Sequence, residues 1–313
     1  MNQDHDIGRS HSDANRHYDG YIAEFHGVDG QQLDASYFGE TNDNGVWIPK
    51  KYTGTYGNNG FFLEFKQTGT SADASGKGAD TSGNGHHFDD TSIDVEEIKT
   101  DTPTNNFATF NSLHKASNVT LREANLKAAI AGAGQSRSTT STIAVSKGKW
   151  YWENKYTTDV VSIFIGLVSA DIGWNINSTT FPSSGVSDNV GMNDGGNKYV
   201  NGSLSSYDTA ANTIDNNDIV GCAANLDDGE VTFYVNGSAL NSGTPISKTF
   251  SGDYFFVVQH QSSSGTSNIQ TNFGNPSYSI SSGNADANGY GNFEYAPPSG
   301  YYALCTKNLA EYG

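Results

Sequence analysis

The chain has 313 residues, only two of them cysteine, and a formal net charge of −17 from 17 basic and 34 acidic residues. At about 100–200 residues per domain, this length fits one large or two modest domains. Nucleic acid and anionic membranes are excluded as expected partners, because the sequence lacks the clustered lysines and arginines that such surfaces need. Two cysteines make no disulfide framework. No apolar run approaches a membrane span, and the polar residues 1–12 predict no signal peptide.

Local patterns favour strands over helices. Hydrophobic residues make up 35% of the chain, below the usual value of about 45–50%. Aromatic and β-branched runs are separated by Gly, Asn, Asp and Ser, which predicts many short strands with tight turns. We therefore expect an all-β protein.

In chain order, residues 1–66 form an N-terminal arm with two convincing strands, at 21–25 and 60–65. An isolated pair of strands is marginal in water. We therefore expect this arm not to close on itself, and its first strand to add to the sheet of another domain or subunit. Residues 67–105 are predicted to be a linker rich in Gly, Ser and Asp, and residues 276–313 a C-terminal loop and tail.

The dense β region covers residues 106–275. Trp150 and Trp152 are two residues apart, so they share one face of a strand and are predicted to fill the space between two sheets. Asn-Gly pairs at 201–202 and 236–237 predict tight hairpin turns. Before these elements, residues 121–129 fit either a short helix or a strand.

This β region resembles a SPRY domain. Residues 148–153 (Gly-Lys-Trp-Tyr-Trp-Glu) look like its early core strand, and residues 165–168 (Ile-Gly-Leu-Val) like a later one. The most specific resemblance lies in 218–222 and in 225–237, and the ending at 269–274 also fits. The resemblance implies a concanavalin-like, two-sheet antiparallel β-sandwich that acts as a non-catalytic recognition module, with loops at one rim choosing the partner.

One residue departs from the family pattern. The family often has Asp where this chain has Asn225. The resemblance therefore implies a weaker polar contact at that position.

The flanking segments carry a second resemblance. Residues 18–25 look like the closing strand of laminin-G-like sandwiches. Together with the segments 101–109 and 303–309, they make the chain similar to bacteriophage virion proteins. This implies a tail-fibre, adhesin or capsid-decoration protein in the virion, which we expect to be a homo-oligomer that binds host-surface glycan or a neighbouring virion protein. The alternatives are a cellular protein-binding SPRY adaptor and a glycan hydrolase.

Candidate binding residues lie in three polar loops that contain aromatic residues, at 171–197, 202–217 and 259–268. Strand faces are committed to the core, so binding chemistry is expected in loops. The predicted contacts are Trp174, Asn175, Asn177, Asp188, Asn189, Tyr207 and His260. A flat aromatic face beside planar amides suits a sugar, but Tyr and Trp also dominate protein interfaces. A structural alternative is that Trp174 only covers the end of the sandwich.

No catalytic residue, metal site or cofactor is predicted. Asp94 and Glu96 would share a strand face as glucanase carboxylates do, but the leading Glu of that pattern is missing. The histidines and carboxylates at 86–90 fit chelation poorly, because adjacent strand residues point to opposite sides. Calcium stays an open alternative at 188–194 and at 227–228, where turn chemistry explains the same residues equally well.

Overall fold

The structure, a computed structural model, describes residues 6–10, 13–18, 22–41, 47–91, 93, 98–102, 104–131, 136–158, 163–171, 176, 186–208, 214–261 and 266–313. The chain divides into two compact units, an N-terminal unit, Met1–Ile93, and a sandwich unit, Asp94–Gly313.

The N-terminal unit contains six short strands in its described part. They are β1 (Arg9–Ser10), β2 (Asp13–His17), β3 (Phe25–Gly27), β4 (Gly39–Thr41), β5 (Trp47–Pro49) and β6 (Phe61–Leu63). They pair antiparallel as β1 with β2, β3 with β6 and β4 with β5. A 3-10 helix, Ala35–Tyr37, begins at Asp34, whose side chain accepts a hydrogen bond from the amide of Ser36.

An aromatic cluster packs beside β3 and β6. The His26 ring stacks on Phe62 with ring centres 4.2 Å apart, and its Nδ1 lies 2.8 Å from the Tyr56 hydroxyl. The rings of Phe38 and Tyr52, with centres 5.1 Å apart, belong to the same aromatic cluster. Burial lowers the pKa of His26, which favours its neutral form in this apolar setting.

A buried carboxylate ties residues beyond β6 to that strand. Asp80 accepts hydrogen bonds from the amides of Phe62, Ser82 and His86 at 2.8–2.9 Å. Part of the predicted linker is thus fixed on β6. Only Phe25 of the predicted 21–25 strand lies in β3, which pairs with β6 of the same unit. The addition of the predicted strand to another sheet stays a prediction.

The sandwich unit has sixteen strands and one α-helix in its described part. They are β7 (Phe110–Lys115), β8 (Val119–Arg122), β9 (Lys127–Ala131), β10 (Ser136–Val145), β11 (Lys149–Thr158), β12 (Phe164–Ser169), β13 (Asn189–Asn193), β14 (Asn197–Val200), β15 (Ser203–Ser206), β16 (Ile219–Asn225), β17 (Glu230–Val235), β18 (Ser238–Ala239), β19 (Ile246–Ser247), β20 (Tyr254–Gln261), β21 (Thr266–Asn272), β22 (Tyr302–Ala303) and α1 (Thr306–Tyr312). A 3-10 helix, Leu240–Gly243, follows β18.

Two sheets form the layers of the sandwich. One has the order β15-β14-β13-β12-β20-β10-β7, and the other β18-β17-β16-β11-β21-β9-β8, with β19 and β22 as added partners. Every pairing is antiparallel except that of β22 with β11. This confirms the predicted all-β, two-sheet antiparallel sandwich.

The core between the sheets is built around two tryptophans. Trp150 and Trp152 are fully buried in one apolar cluster, as predicted from their shared strand face. The Trp152 ring stacks on Phe273 and meets Phe256, with ring centres 5.1 and 5.2 Å apart. Contacts from both sheets therefore converge on Trp152.

Tight turns follow the predicted chemistry. Asn201-Gly202 and Asn236-Gly237 both have positive φ at each residue, the geometry of hairpin turns that match strand twist. Residues 121–129 resolve as the hairpin of β8 and β9 rather than a helix.

The C-terminal extension, residues 276–313, is part of the sandwich unit. β22 joins the second sheet beside β11, and Phe293 packs against Tyr151 on its outer face. Glu153 of β11 anchors the extension from a fully buried position. Its carboxylate accepts hydrogen bonds at 2.8–3.2 Å from the amides of Tyr295 and Glu294, the hydroxyls of Tyr278 and Tyr151, and the side-chain amide of Asn272.

Candidate binding surface

The strand register divides the sandwich into two ends. In one sheet β12 begins opposite the last residue of β13, where Phe164 pairs with Asn193. In the other sheet β16 begins opposite the later part of β11, where Ile219 pairs with Lys155. Because β11 continues into β12 after a short connection, both pairs lie at the same end. We call it the turn end, and the opposite end, which carries α1, the helix end.

The helix end is occupied by the chain's own C-terminus. Leu309 and Tyr312 of α1 pack against the main core, and Tyr312 stacks on Tyr302 with ring centres 3.9 Å apart. The turn between β10 and β11 also lies here, held by a 2.8 Å hydrogen bond from the Gly148 amide to Asp227. This part of the helix end is therefore covered.

The turn end presents polar turns to solvent. The described turns at this end include those at 116–118, 194–196, 215–218 and 236–237. Their exposed residues include Gly195, Asp215, Asn216, Asn217, Asn236 and Gly237. Amide and carboxylate groups at this surface give it hydrogen-bonding capacity, and the basic residues Lys155 and Arg137 lie at the same end.

Side chains from neighbouring turns hold this surface in place. Asp218 accepts hydrogen bonds from the Asp215 amide and from Asn236 Nδ2, both at 2.7 Å. Asn236 Oδ1 in turn accepts from the Ile219 amide at 3.0 Å. A second tie runs from the Ile163 amide to Asp194 Oδ1 at 3.1 Å. Turns fixed in this way present their exposed groups in a defined geometry, which reduces the ordering cost of binding.

Two of the predicted contact residues lie at the helix end. Asp188 accepts a 2.8 Å hydrogen bond from the Tyr254 hydroxyl and pairs at 2.5 Å with the buried ammonium of Lys248. Asn189 is buried and accepts a hydrogen bond from the Gly202 amide at 2.8 Å. Their polar groups are engaged within the protein, so the contacts seen for both residues are structural.

Two other predicted residues lie at the turn end. Tyr207 is buried in the main core, and its hydroxyl donates to the carbonyl of Thr244 at 3.1 Å. Burial raises the pKa of Tyr207 to about 12. His260 is on β20, is 1% exposed, and pairs in register with Arg137. Asp188 and Asn189 therefore do not share one rim with Tyr207 and His260.

The remaining predicted contacts, Trp174, Asn175 and Asn177, lie outside the described residues, as do Asp94 and Glu96. Whether the first three contact a ligand stays a prediction. The predicted loop 171–197 contains the strand β13, and Asp188 just before that strand forms the ion pair with Lys248. Sequence reasoning missed Lys248, since nothing local to position 248 indicates a partner sixty residues away.

Carboxylates considered for calcium have protein partners. Asp227 accepts from the Gly148 amide, and Asp228 accepts from Asn225 Nδ2 at 2.7 Å and pairs with Lys149 at 3.1 Å. Asn225 Oδ1 also accepts from the Asp228 amide, so this side chain makes two contacts, one of them through an amide donor that Asp lacks. Across the described residues, no three His, Cys, Asp or Glu side chains gather as a metal site.

The buried Glu153 does not resemble a catalytic carboxylate. Burial raises the pKa of its carboxyl, and the amides of Tyr295 and Glu294 act against that shift. All five donors come from the protein itself, and the group is fully buried. Its geometry suits an anchor for the C-terminal extension.

No helix within the described residues is long and apolar enough to cross a membrane.

Comparison with known proteins identifies the sandwich. Residues 149–276, which hold β11 to β21, match the SPRY domain family. SPRY domains are generally protein-binding modules and are typically not catalytic. The match leaves residues 1–148 and 277–313 uncovered, and no curated protein matches the chain.

Solved structures similar to this chain include the following three. The SPRY domain of human HERC1 is 16% identical, with a TM-score of 0.39, over 52% of this chain and 96% of that one. The TRIM65 PSpry domain is 14% identical, with a TM-score of 0.41, and the match covers 53% of this chain and 89% of that one. Stonustoxin is 14% identical, with a TM-score of 0.39, and the match covers 53% of this chain and 27% of that one. Likeness at this level carries no information about partners.

Proposed function

Starting from a SPRY domain at residues 149–276, we propose that this protein is a non-catalytic recognition protein that holds a protein partner at the turn end of its sandwich. The observation that carries the proposal is the fixed geometry of the turn end. Its exposed polar turns are held by Asp218 and Asn236, whereas part of the helix end is covered by α1.

The polar groups of this surface define the partner's chemistry. Asp215 and Asp218 belong to one turn and Asp194 to another, while Lys155 and Arg137 lie at the same end. A partner surface with amide groups and charges of both signs is complementary to such a surface, and complementarity of this kind sets association rate and specificity.

We further propose that the protein is a virion component of the tail-fibre, adhesin or capsid-decoration type. This rests on the flanking segments at 18–25, 101–109 and 303–309, which resemble bacteriophage virion proteins, the first with a laminin-G-like strand. The partner would then be a neighbouring virion protein, and the chain a homo-oligomer. Host-surface glycan remains the second candidate ligand, with the predicted Trp174 as its aromatic contact.

Site-specific cross-linking tests the location of the interface. A photoreactive residue is placed at Asn216 in the turn end and, as the matched control, at Glu311 in the helix end, both of them exposed. Cross-links to one defined partner from position 216 and none from 311 support the proposal. The reverse pattern, in protein with an unchanged circular dichroism spectrum, contradicts it.

Mass spectrometry of purified particles tests the virion assignment separately. The chain should be present at a fixed ratio to the major virion proteins, and light scattering should give a mass above 33.4 kDa. Absence from particles would reject the virion location and leave protein recognition by a cellular SPRY adaptor. A glycan array compared with a reducing-sugar assay distinguishes glycan binding from hydrolysis.

A further inference from the structure

A groove in the N-terminal unit has features of a second binding site. It has a volume of about 390 Å³ and lies beside the hairpin of β4 and β5. Its lining includes Gln31, Ser36, Tyr37, Lys50, Lys51 and Thr53. A groove of this size lies at the lower end of the range for small-molecule sites, about 300–1,000 Å³. The groove therefore fits a small molecule better than a long stretch of a polymer.

Two lysines give the groove its charge. Lys50 and Lys51 are both exposed, and neither has a carboxylate within salt-bridge distance in the described part of the chain. Elsewhere in this unit, Lys66 and Lys77 each form an ion pair at 2.6 Å. The two adjacent lysines place two ammonium groups at the groove, where an anion can reach them.

A carboxylate that interacts with Lys50, that of Asp34, is hydrogen-bonded within its own turn. Asp34 accepts hydrogen bonds from the hydroxyl and the amide of Ser36, at 2.5 and 2.9 Å. These bonds lower the pKa of Asp34, with a smaller contribution from Lys50. Lys50 is held in position by the hydrogen bond from its amide to the Phe38 carbonyl. Asp34 is therefore held by Ser36, and it forms no salt bridge with either lysine in the described part of the chain.

The rest of the lining suits a hydroxylated ring. Tyr37 is 49% exposed, which leaves an aromatic ring free to pack on the apolar face of a pyranose. Gln31 is oriented by its hydrogen bond to the Thr55 carbonyl at 2.8 Å, and the Thr53 hydroxyl is exposed. An aromatic face, hydroxyl and amide groups, and paired ammonium groups are together the features that recognise a sugar bearing a negative charge.

We propose that this groove binds an anionic saccharide, namely a mono- or disaccharide unit that carries a carboxylate or a sulfate. The ammonium groups of Lys50 and Lys51 contact the anion, and Tyr37 packs on the sugar ring. This site shares no residue with the turn end of the sandwich.

Titration of the full-length protein with D-glucuronate, followed by NMR, tests the proposal. D-glucose and inorganic sulfate serve as comparison probes, with glucose 6-sulfate as the sulfated sugar. Saturable binding on the order of millimolar is expected for the two charged sugars. Lys50→Gln and Lys51→Gln should each weaken it by about three- to tenfold. Lys66→Gln is the matched control, since it removes the same charge from the same unit outside the groove, and should leave affinity unchanged.

Tyr37→Ala distinguishes a sugar site from a simple anion site. It should weaken glucuronate binding several-fold and leave any weak binding of inorganic sulfate unaltered. Sulfate binding as tight as glucuronate binding would overturn the saccharide assignment, and so would equal affinity for glucose. Unchanged affinity in the Lys50→Gln/Lys51→Gln double variant, with the spectrum of the unit intact, would overturn the site itself.

Discussion

The N-terminal unit and the sandwich unit stabilise their strands in different ways. In the sandwich, β10 and β11 each run for 10 residues, and aromatic side chains from both sheets meet at Trp152. In the N-terminal unit each described sheet has two strands of two to five residues. There an aromatic cluster and the buried Asp80 carboxylate hold the short strands. The stability of the sandwich should therefore depend most on the volume of its core side chains. The stability of the N-terminal unit should depend most on its polar contacts.

The largest expected effect is from Trp152→Ala in the sandwich. Removing this fully buried ring leaves a cavity between Phe256 and Phe273, which should lower the free energy of unfolding by about 3–5 kcal/mol. Urea denaturation followed by circular dichroism measures it. Leu113→Ala, at a side chain that is 95% exposed, is the control and should change stability by less than about 0.5 kcal/mol. Similar values for the two variants would contradict the core assignment.

Glu153→Gln should have the next largest effect. An amide cannot accept from all five donors, so one or more is left unsatisfied in a buried site, at a cost of about 2 kcal/mol. The C-terminal extension should then loosen, with faster hydrogen exchange at the amides of Glu294 and Tyr295, which donate to this carboxylate. Unchanged exchange there would show that the extension is held by its apolar contacts instead.

The same variant predicts a pH dependence. Burial raises the pKa of the Glu153 carboxyl in the folded protein, so the folded state holds a proton that the unfolded state releases above about pH 4.3. The stabilisation from this group is therefore fully present below the unfolded pKa of about 4.3. It is lost as pH rises through the raised pKa of the folded state. The difference in unfolding free energy between wild type and Glu153→Gln should shrink from pH 4 to pH 7. A difference that grows would contradict the raised pKa.

A smaller, local effect is expected from Asp80→Asn. Burial acts to raise the pKa of Asp80, but hydrogen bonds from the amides of Phe62, Ser82 and His86 outweigh it and lower the pKa. Its stabilisation is therefore present above the unfolded value of about 3.9 and is lost as pH falls below it. The variant should cost about 1–2 kcal/mol, seen as faster exchange of those three amides.

The control for Asp80→Asn is Asp73→Asn, an exposed carboxylate that accepts from Ser75 in the same unit. The Asp73→Asn variant should leave hydrogen exchange at the amides of Phe62, Ser82 and His86 as slow as in wild type. Faster exchange in both variants would mean that net charge, and not the buried contact, stabilises the unit.

The smallest expected signal comes from the cysteines, both of which are in the sandwich unit. Cys222 lies in the main core and Cys305 in the outer-face cluster. Burial raises the pKa of Cys222 to about 12, so neither thiol should react with Ellman's reagent at pH 8 in native protein. Denatured, unreduced protein should show two free thiols, and a count of zero would reveal a disulfide. Asp80→Asn should leave native reactivity at zero, since the N-terminal unit has no cysteine.

Much of the sandwich follows from the sequence because its signals are local. The two-residue spacing of Trp150 and Trp152 fixes their common face, and Asn-Gly at 201–202 and 236–237 fixes two turns. In the N-terminal unit such signals are weaker. Its strands are too short to show alternation, and β3 pairs with β6 more than thirty residues away. The chemistry of its Gly- and Ser-rich segment predicts a linker, although Asp80 in that segment is bound to Phe62.

The all-β class, the buried tryptophans and the hairpin turns can be predicted from the sequence alone, because each depends on residues within a few positions of one another. Which loops share an end of the sandwich is set by the tertiary structure. Sheet order and register place Asp188 beside Lys248 at one end and His260 at the other, and they bring Glu294 and Tyr295 to Glu153. These are pairings between distant segments, which the free energy of the whole fold selects and no local pattern encodes.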